Sequence, residues 1–144
     1  MKHILIINGP NLNLLGRREP LLYGNRSFSD YAEELRTSFP EIQLTAKQCN
    51  EEGELVTALH EAFDSFDGVV INPAAFSHTS LAVADAVAAL RGENMPVVEV
   101  HITNVYAREA VRSKSFVSKY ASGVISGLGL EGYRLAISYL AGTD

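Results

Sequence analysis

The chain has a single cysteine, Cys49, in 144 residues. An internal disulfide is excluded, and one thiol fits a reducing cytoplasm. Basic charge is also scarce: 12 lysines and arginines stand against 17 aspartates and glutamates, a formal net charge of -5. That balance gives no electrostatic case for nucleic acid. No apolar run approaches a membrane span. Lys2 and His3 lead only into Ile4 to Ile7, too short a run for a secretory leader. Low-complexity linkers and internal repeats are missing too. The hydrophobic share is 47% and the charged share 20%, as in an ordinary soluble protein. Residues 1–144 are therefore expected to form one domain with a substantial core.

Two motifs are missing after the first predicted strand, Ile4 to Ile7. Neither a GxGxxG nor a Ser/Thr-rich phosphate loop comes after it, which argues against a module that binds a flavin or a nucleotide. No acidic residue occurs there before Glu19, which argues against a phosphoacceptor domain.

The strand runs instead into NGPNLNLLGRREPLLYG, Asn8 to Gly24. Asn8, Gly9 and Pro10 stop the strand at once. The connection is long for a strand-to-helix loop, and its Leu14–Tyr23 part, with Gly16 and Gly24 near its ends, is expected to act as a lid. Four of the eight arginines lie in two short stretches, Arg17/Arg18 and Arg108/Arg112. Local arginines on an acidic chain suggest a small anionic ligand. A tyrosine hydroxyl titrates near ~10 and is a poor base at neutral pH, but a guanidinium within hydrogen-bonding reach favours the phenolate. Arg18 and Tyr23 are thus a candidate base and its activator; a solvated arginine pair beside a surface tyrosine is the competing reading.

Further along, Ser27 or Ser29 is expected to cap a helix whose apolar face carries Phe28, Tyr31, Leu35 and Phe39. Pro40 ends it. Ile42, Leu44 and Ala46 alternate with polar residues, as in an edge strand. Gln48, Cys49 and Asn50 close that strand. Glu51, Glu52 and Glu54 open the next helix, where the dipole explains acidic residues better than a metal does. Cys49 reads as a small buried residue, and His60 as structural or exposed. Leu55, Leu59, Ala62, Phe63 and Phe66 form the inner side of that helix.

Gly68 to Ile71 reads as a central parallel strand. Asn72 ends it, and His78 lies in the junction to a helix with Leu81, Ala84, Val87 and Ala88 inside. Ser77, Thr79 and Ser80 surround that helix start, where backbone amides can bind an anion; simple capping by Ser77 or Thr79 is the competing reading. Val97 to Val100 is the fourth strand. Its Glu99 is a carboxylate in an apolar run and needs a partner, either a nearby arginine or the ring of His101. Arg108 and Arg112 are spaced to share one helical face. Gly123 to Ser126 is the fifth strand, and a helix from Glu131 to Leu140 has Leu135, Ala136, Tyr139 and Leu140 as its apolar side.

This βαβαβαβαβα order predicts an α/β fold, a three-layer doubly wound parallel sheet of flavodoxin-like type with strand order 2-1-3-4-5. Asn11, Gln48, Asn72, His78 and His101 all come after strand C-terminal ends, so they should meet at one edge of the sheet.

With Asn11, Arg18, Tyr23, Asn72, His78, Asp85, His101 and Arg112 so placed, the sequence resembles the type II 3-dehydroquinate dehydratases over essentially its whole length. The blocks that carry the likeness are NGPNLNLLGRREPLLYG, QCNEEGELV, INPAAFSHTSLAVADAV, VEVHITNVYAREAVRSKSF and GVISGLGLEGYRLAI. The resemblance implies a cytoplasmic hydro-lyase of the shikimate pathway. It would use no metal or cofactor and would remove water from 3-dehydroquinate by anti elimination. Tyr23 would be the base, Arg18 its activator, Asn11 the enolate-stabilising residue and His101 the acid. Glu99 and Arg108 would support the acid and the lid. Asn72, His78, Ile102, Thr103 and Arg112 would bind substrate, and Asp85 would come from a neighbouring subunit of a dodecamer of trimers. Neither nucleic acid nor membrane is an expected partner. The alternative is a non-catalytic flavodoxin-like module for a flavin or nucleotide. Cys49, Glu51, Thr103, Tyr106, Ser113 and Lys114 depart from the usual pattern, none of them at a catalytic position.

Overall fold

The computed structural model describes residues 1–143. Five strands, β1 Lys2–Asn8, β2 Ile42–Gln48, β3 Gly68–Asn72, β4 Val97–His101 and β5 Gly123–Ser126, form one parallel sheet in the order β2-β1-β3-β4-β5. That is the predicted order. The main helices are α2 Phe28–Ser38, α3 Glu52–Ser65, α4 Leu81–Gly92 and α5 Glu131–Ala141, and a single turn, α1 Pro20–Tyr23, lies in the long first connection.

Successive side chains of a strand point to opposite faces. Ile4 and Ile6 of β1 therefore pack with Leu35 of α2 and with Ala136, Ile137 and Leu140 of α5. Leu5 and Ile7 pack on the other face with Leu55 and Leu59 of α3 and Val87 and Leu90 of α4. Both faces are covered, which is why β1 and β3 read as continuous apolar runs. Ser27 caps α2 by accepting from the Asp30 amide at 3.2 Å. Glu51 and Glu54 form a reciprocal capping box at the start of α3, which accounts for two of the three glutamates there.

Two helix faces differ from the sequence expectation. In α5 the buried stripe is Tyr133, Ala136, Ile137 and Leu140, while Leu135 and Tyr139 point outward. A stripe through 133, 136, 137 and 140 keeps the 3.6-residue period, and 135 and 139 fall beside it. In α4, Leu81 is exposed and Val83, Ala86 and Leu90 join Ala84 and Val87 inside.

Gly9 marks the closest approach of two strand ends. Its amide donates to the Asn72 carbonyl at 2.7 Å, and a Cβ on it would stand 2.5 Å from the Pro73 carbonyl oxygen. No larger residue fits without moving backbone.

Tyr133, fully buried, ties α5 to the same ends. Its Oη donates to Asn8 Oδ1 at 2.7 Å and accepts from Asn72 Nδ2 at 2.9 Å. Asn8 and Asn72 are register partners on β1 and β3. Burial raises the phenol far above the usual tyrosine range, so it stays protonated and can donate. Tyr133→Phe would leave two buried carboxamides short of a partner, and a stability loss of about 1–3 kcal/mol is expected. Denaturant unfolding measures it; an unchanged midpoint would mean that the amides find other partners.

Candidate active site

The C-terminal ends of β1, β3 and β4 open into one cleft, at the point where the strand order reverses direction. Asn11, Arg18, Tyr23, Asn72, His78, His101, Ile102, Thr103, Arg108 and Arg112 all line it. Residues from three separate parts of the chain thus converge as the strand-end rule predicts. Two do not. Gln48 ends β2, the edge strand, one position too far out. Its Nε2 instead donates to the Gly9 carbonyl at 2.8 Å and to Asn50 Oδ1 at 3.0 Å. Asn50 Oδ1 in turn accepts from the Asn11 amide at 3.1 Å, so Gln48 braces the loop that carries Asn11. Asn11 itself is in the left-handed region, with φ 72°. Asp85 is exposed on α4, away from the cleft of its own chain.

Tyr23 ends α1, which Pro20 begins at a position where its missing N–H costs nothing. Two guanidinium groups meet its oxygen. Arg18 Nη2 donates at 3.1 Å, with its guanidinium carbon 4.2 Å from the ring centroid. Arg108 Nη1 donates at 3.0 Å and also contacts Thr103 Oγ1 at 3.3 Å. Two cationic donors thus converge on one phenol oxygen. Arg108 is not on a common helix with Arg112, contrary to the spacing. Two short 3-10 turns, Val105–Ala107 and Ala110–Ser113, flank an extended Arg108, with φ -110° and ψ -163°. That break points Arg108 back at Tyr23 while Arg112 still reaches the cleft.

Glu99 and His101 lie on the same face of β4, two residues apart. His101 Nε2 meets Glu99 Oε2 at 2.5 Å, so the carboxylate partners the histidine and not an arginine. Glu99 is fully buried. Ser115 Oγ donates to its Oε2 at 2.9 Å and Ser118 Oγ to its Oε1 at 2.6 Å. Burial pushes the carboxyl up, but His101, Ser118 and Ser115 together outweigh it and hold it below the usual carboxylate range. With Nε2 engaged by Glu99, Nδ1 is the ring nitrogen left for a ligand.

His78 lies in a 3-10 turn, Ala74–His78, its ring 6.1 Å from that of His101 and nearly parallel to it. Its Nδ1 meets the Lys114 carbonyl at 2.5 Å. Capping of α4 falls to Ser80, which accepts from the Val83 amide at 3.0 Å, and not to Ser77 or Thr79. Ser77 Oγ donates to the Ala74 carbonyl at 2.8 Å. Asn72 has both side-chain atoms engaged, with Oδ1 accepting from the Ala74 amide at 3.1 Å and Nδ2 on Tyr133.

Sequence reasoning missed Tyr133, Ser115 and Ser118. Tyr133 stood in a block already singled out, but helical periodicity marks it only as a core residue. The two serines, three apart and near a buried acid, carry no local signal of their partner.

A doubly wound parallel sheet with an arginine-flanked tyrosine and a carboxylate-held histidine in one strand-end cleft defines a flavodoxin-like α/β protein equipped for proton transfer on a small anion. Residues 2–141 match the family Dehydroquinase class II, and the chain belongs to that family. It is 52% identical to a 3-dehydroquinate dehydratase of Bacillus licheniformis over 146 residues, covering 100% of this chain and 99% of that one. Against the 3-dehydroquinate dehydratase of Bacillus subtilis the identity is 49% over 143 residues, covering 97% and 94%. The crystal structure of a type II dehydroquinase from Propionibacterium acnes superposes with a TM-score of 0.93 at 45% identity, over 99% of this chain and 98% of that chain. These relatives do not favour the alternative of a non-catalytic flavin or nucleotide module.

Proposed function

We propose that the chain is a type II 3-dehydroquinate dehydratase, a hydro-lyase that converts 3-dehydroquinate to 3-dehydroshikimate by anti elimination through an enolate. The observation that carries this reading is the pair of arginine donors on the Tyr23 oxygen in the cleft that also holds His101. The Tyr23 phenolate, stabilised by Arg18 and Arg108, takes the proton from the carbon beside the ketone. The electron pair moves onto the ketone oxygen, where Asn11, with a water, meets the enolate. One preorganised donor of this kind is typically worth about 3–4 kcal/mol. The enolate then collapses, the β-hydroxyl departs, and His101 supplies the proton that makes it water. Base and acid need different protonation states at one pH, and their surroundings differ: two cations around Tyr23, a buried carboxylate behind His101.

Arg112 and the amides of Ile102 and Thr103 suit the substrate's carboxylate. Asn72 and His78 complete the pocket, and Thr103 keeps the hydroxyl that the family's usual serine would bring. The reaction so written calls on no metal or cofactor. Residues 1–144 act as one catalytic domain. The activity belongs to the shikimate pathway, toward chorismate and the aromatic amino acids, in the cytoplasm; among the described residues no helix is long and apolar enough to cross a membrane. The test is turnover of 3-dehydroquinate with EDTA present, read as the rise in conjugated-enone absorbance. A protein that purifies yellow and forms no enone would favour the flavin module.

The same reading makes the protein a homo-oligomer, trimers gathered into a dodecamer, with Asp85 lent to a neighbour's cleft. Asp85 is exposed on α4, about one turn past its start at Leu81, and does not line the cleft of its own chain. That suits donation better than contact with its own substrate. Mixing Tyr23→Phe with Asp85→Asn subunits should create sites with an intact Tyr23 and a neighbour's intact Asp85. Activity above that of either variant is expected. No rise in mixed oligomers confirmed by mass would mean that Asp85 does not cross the interface.

A further inference from the structure

The residues between the 3-10 turn Ala110–Ser113 and β5 reach one histidine of the cleft directly and the other through Glu99. Lys114 offers its carbonyl to His78 Nδ1 at 2.5 Å, and Ser115 and Ser118 donate to the two oxygens of Glu99. We infer that Ser115 and Ser118 are positioning residues for the elimination, acting through Glu99 to keep His101 oriented and charged as the proton donor.

A carboxylate with no exposed surface is costly unless its charge is satisfied. Glu99 has three side-chain donors, two of them these hydroxyls. Their number and direction matter for chemistry as well as for stability. With Ser118 on Oε1 and Ser115 on Oε2, the carboxylate plane is held from both ends, and Oε2 stays aimed at His101 Nε2. The ring is thereby fixed with Nδ1 turned away from Glu99. The serines also decide where the shared proton rests. An anionic Glu99 can only accept, so it fixes a proton on Nε2, and the proton that His101 gives to the leaving group is then a second one, on Nδ1. A Glu99 that has lost its hydroxyl donors competes better for the proton on Nε2. Once it takes that proton, His101 is left neutral and is a far weaker acid toward a departing hydroxyl.

The two serines are not equivalent. Ser115 Oγ also accepts from the amides of Val117 and Ser118, at 3.2 and 3.1 Å, and so shapes the turn. Ser118 Oγ has Glu99 as its one side-chain partner among the described residues, which makes Ser118 the cleaner probe. Of the other charged groups lining the cleft, Arg18, Arg108 and Arg112, none bonds Glu99 or His101, and the first two are committed to Tyr23.

The inference rests on the reading of His101 as the acid, and a double-mutant cycle separates the two. Ser118→Ala, His101→Ala and the double variant are assayed with 3-dehydroquinate, and each is checked by thermal unfolding. Ser118→Ala is expected to lower kcat about tenfold, as loss of a hydrogen bond to a charged group predicts, with KM changed less than about twofold. In the His101→Ala background the same change should cost less than about twofold, because its effect has no route left. Ser115→Ala should repeat the pattern and carries the test should Ser118→Ala not fold. An equal loss of kcat in both backgrounds, or a rise in KM alone, overturns the inference. Normal kcat in Ser118→Ala beside a disabled His101→Ala overturns the inference and leaves the acid assignment standing. Normal kcat in His101→Ala overturns both.

Discussion

Tyr23→Phe is expected to lower kcat by about 10³- to 10⁴-fold, near the upper end of what one general base contributes. The substitution removes a single oxygen, the one on which Arg18 and Arg108 converge. The ring stays, and with it the stacking of the Arg18 guanidinium at 4.2 Å. Tyr23 is only half-buried, in a short turn outside the sheet, so no core contact depends on its hydroxyl. The fold and melting temperature should therefore be near those of the parent, and KM should change little. Steady-state kinetics with circular dichroism on the same preparation checks this. A variant that keeps near-normal kcat would remove Tyr23 as the base, and the other titratable side chain of the cleft without an assigned proton-transfer role is His78.

His101→Ala is expected to lower kcat by about 10²- to 10³-fold with a smaller effect on KM, since an acid acts where the leaving group takes on charge. Here stability should fall as well. Glu99 loses its ring partner at 2.5 Å and keeps only the two serine hydroxyls within a buried site. Removing a hydrogen-bond partner from a buried carboxylate leaves its charge less well satisfied. The variant should fold, with a lower melting temperature, because those two donors remain. A change confined to KM would assign His101 to binding. Because Tyr23 and His101 act at opposite ends of one elimination, the double variant should lose less than the product of the single losses if one proton transfer limits the rate.

Strand order and helix order could be read in advance because their signals are local. Apolar runs such as Ile4–Ile7 and Gly68–Ile71 sit between turn-formers, and the helices carry a 3.6-residue period with caps in place. Right-handed crossovers then leave few sheet orders to choose from. Much of the cleft could be placed by the same reasoning, since Asn11, Asn72 and His101 must lie at strand ends whatever the side-chain packing. The Arg18–Tyr23 pair was legible too, because its members stand five positions apart in one loop.

The tertiary structure alone decided which distant atoms meet. Arg108 reaches Tyr23 across 85 positions, Tyr133 meets Asn72 across 61 and Asn8 across 125, and Ser118 finds Glu99 across 19. Periodicity tells which face of an element is buried, not which side chain on the facing element stands opposite. For that reason the sequence pattern places Leu135 and Tyr139 inside α5, whereas the stripe through Tyr133 and Ile137 is the one that packs. Gln48 shows the same limit at the sheet edge: its position at a strand end was evident, but only the placement of β2 beyond β1 takes it out of the cleft and makes it a brace for the Asn11 loop. Local sequence determined the elements and the edge of the sheet at which chemistry could occur. Packing between elements far apart in the chain determined which groups there hold one another's charges, because a hydrogen bond of about 3 Å depends on helix rotation and loop path that no local pattern encodes.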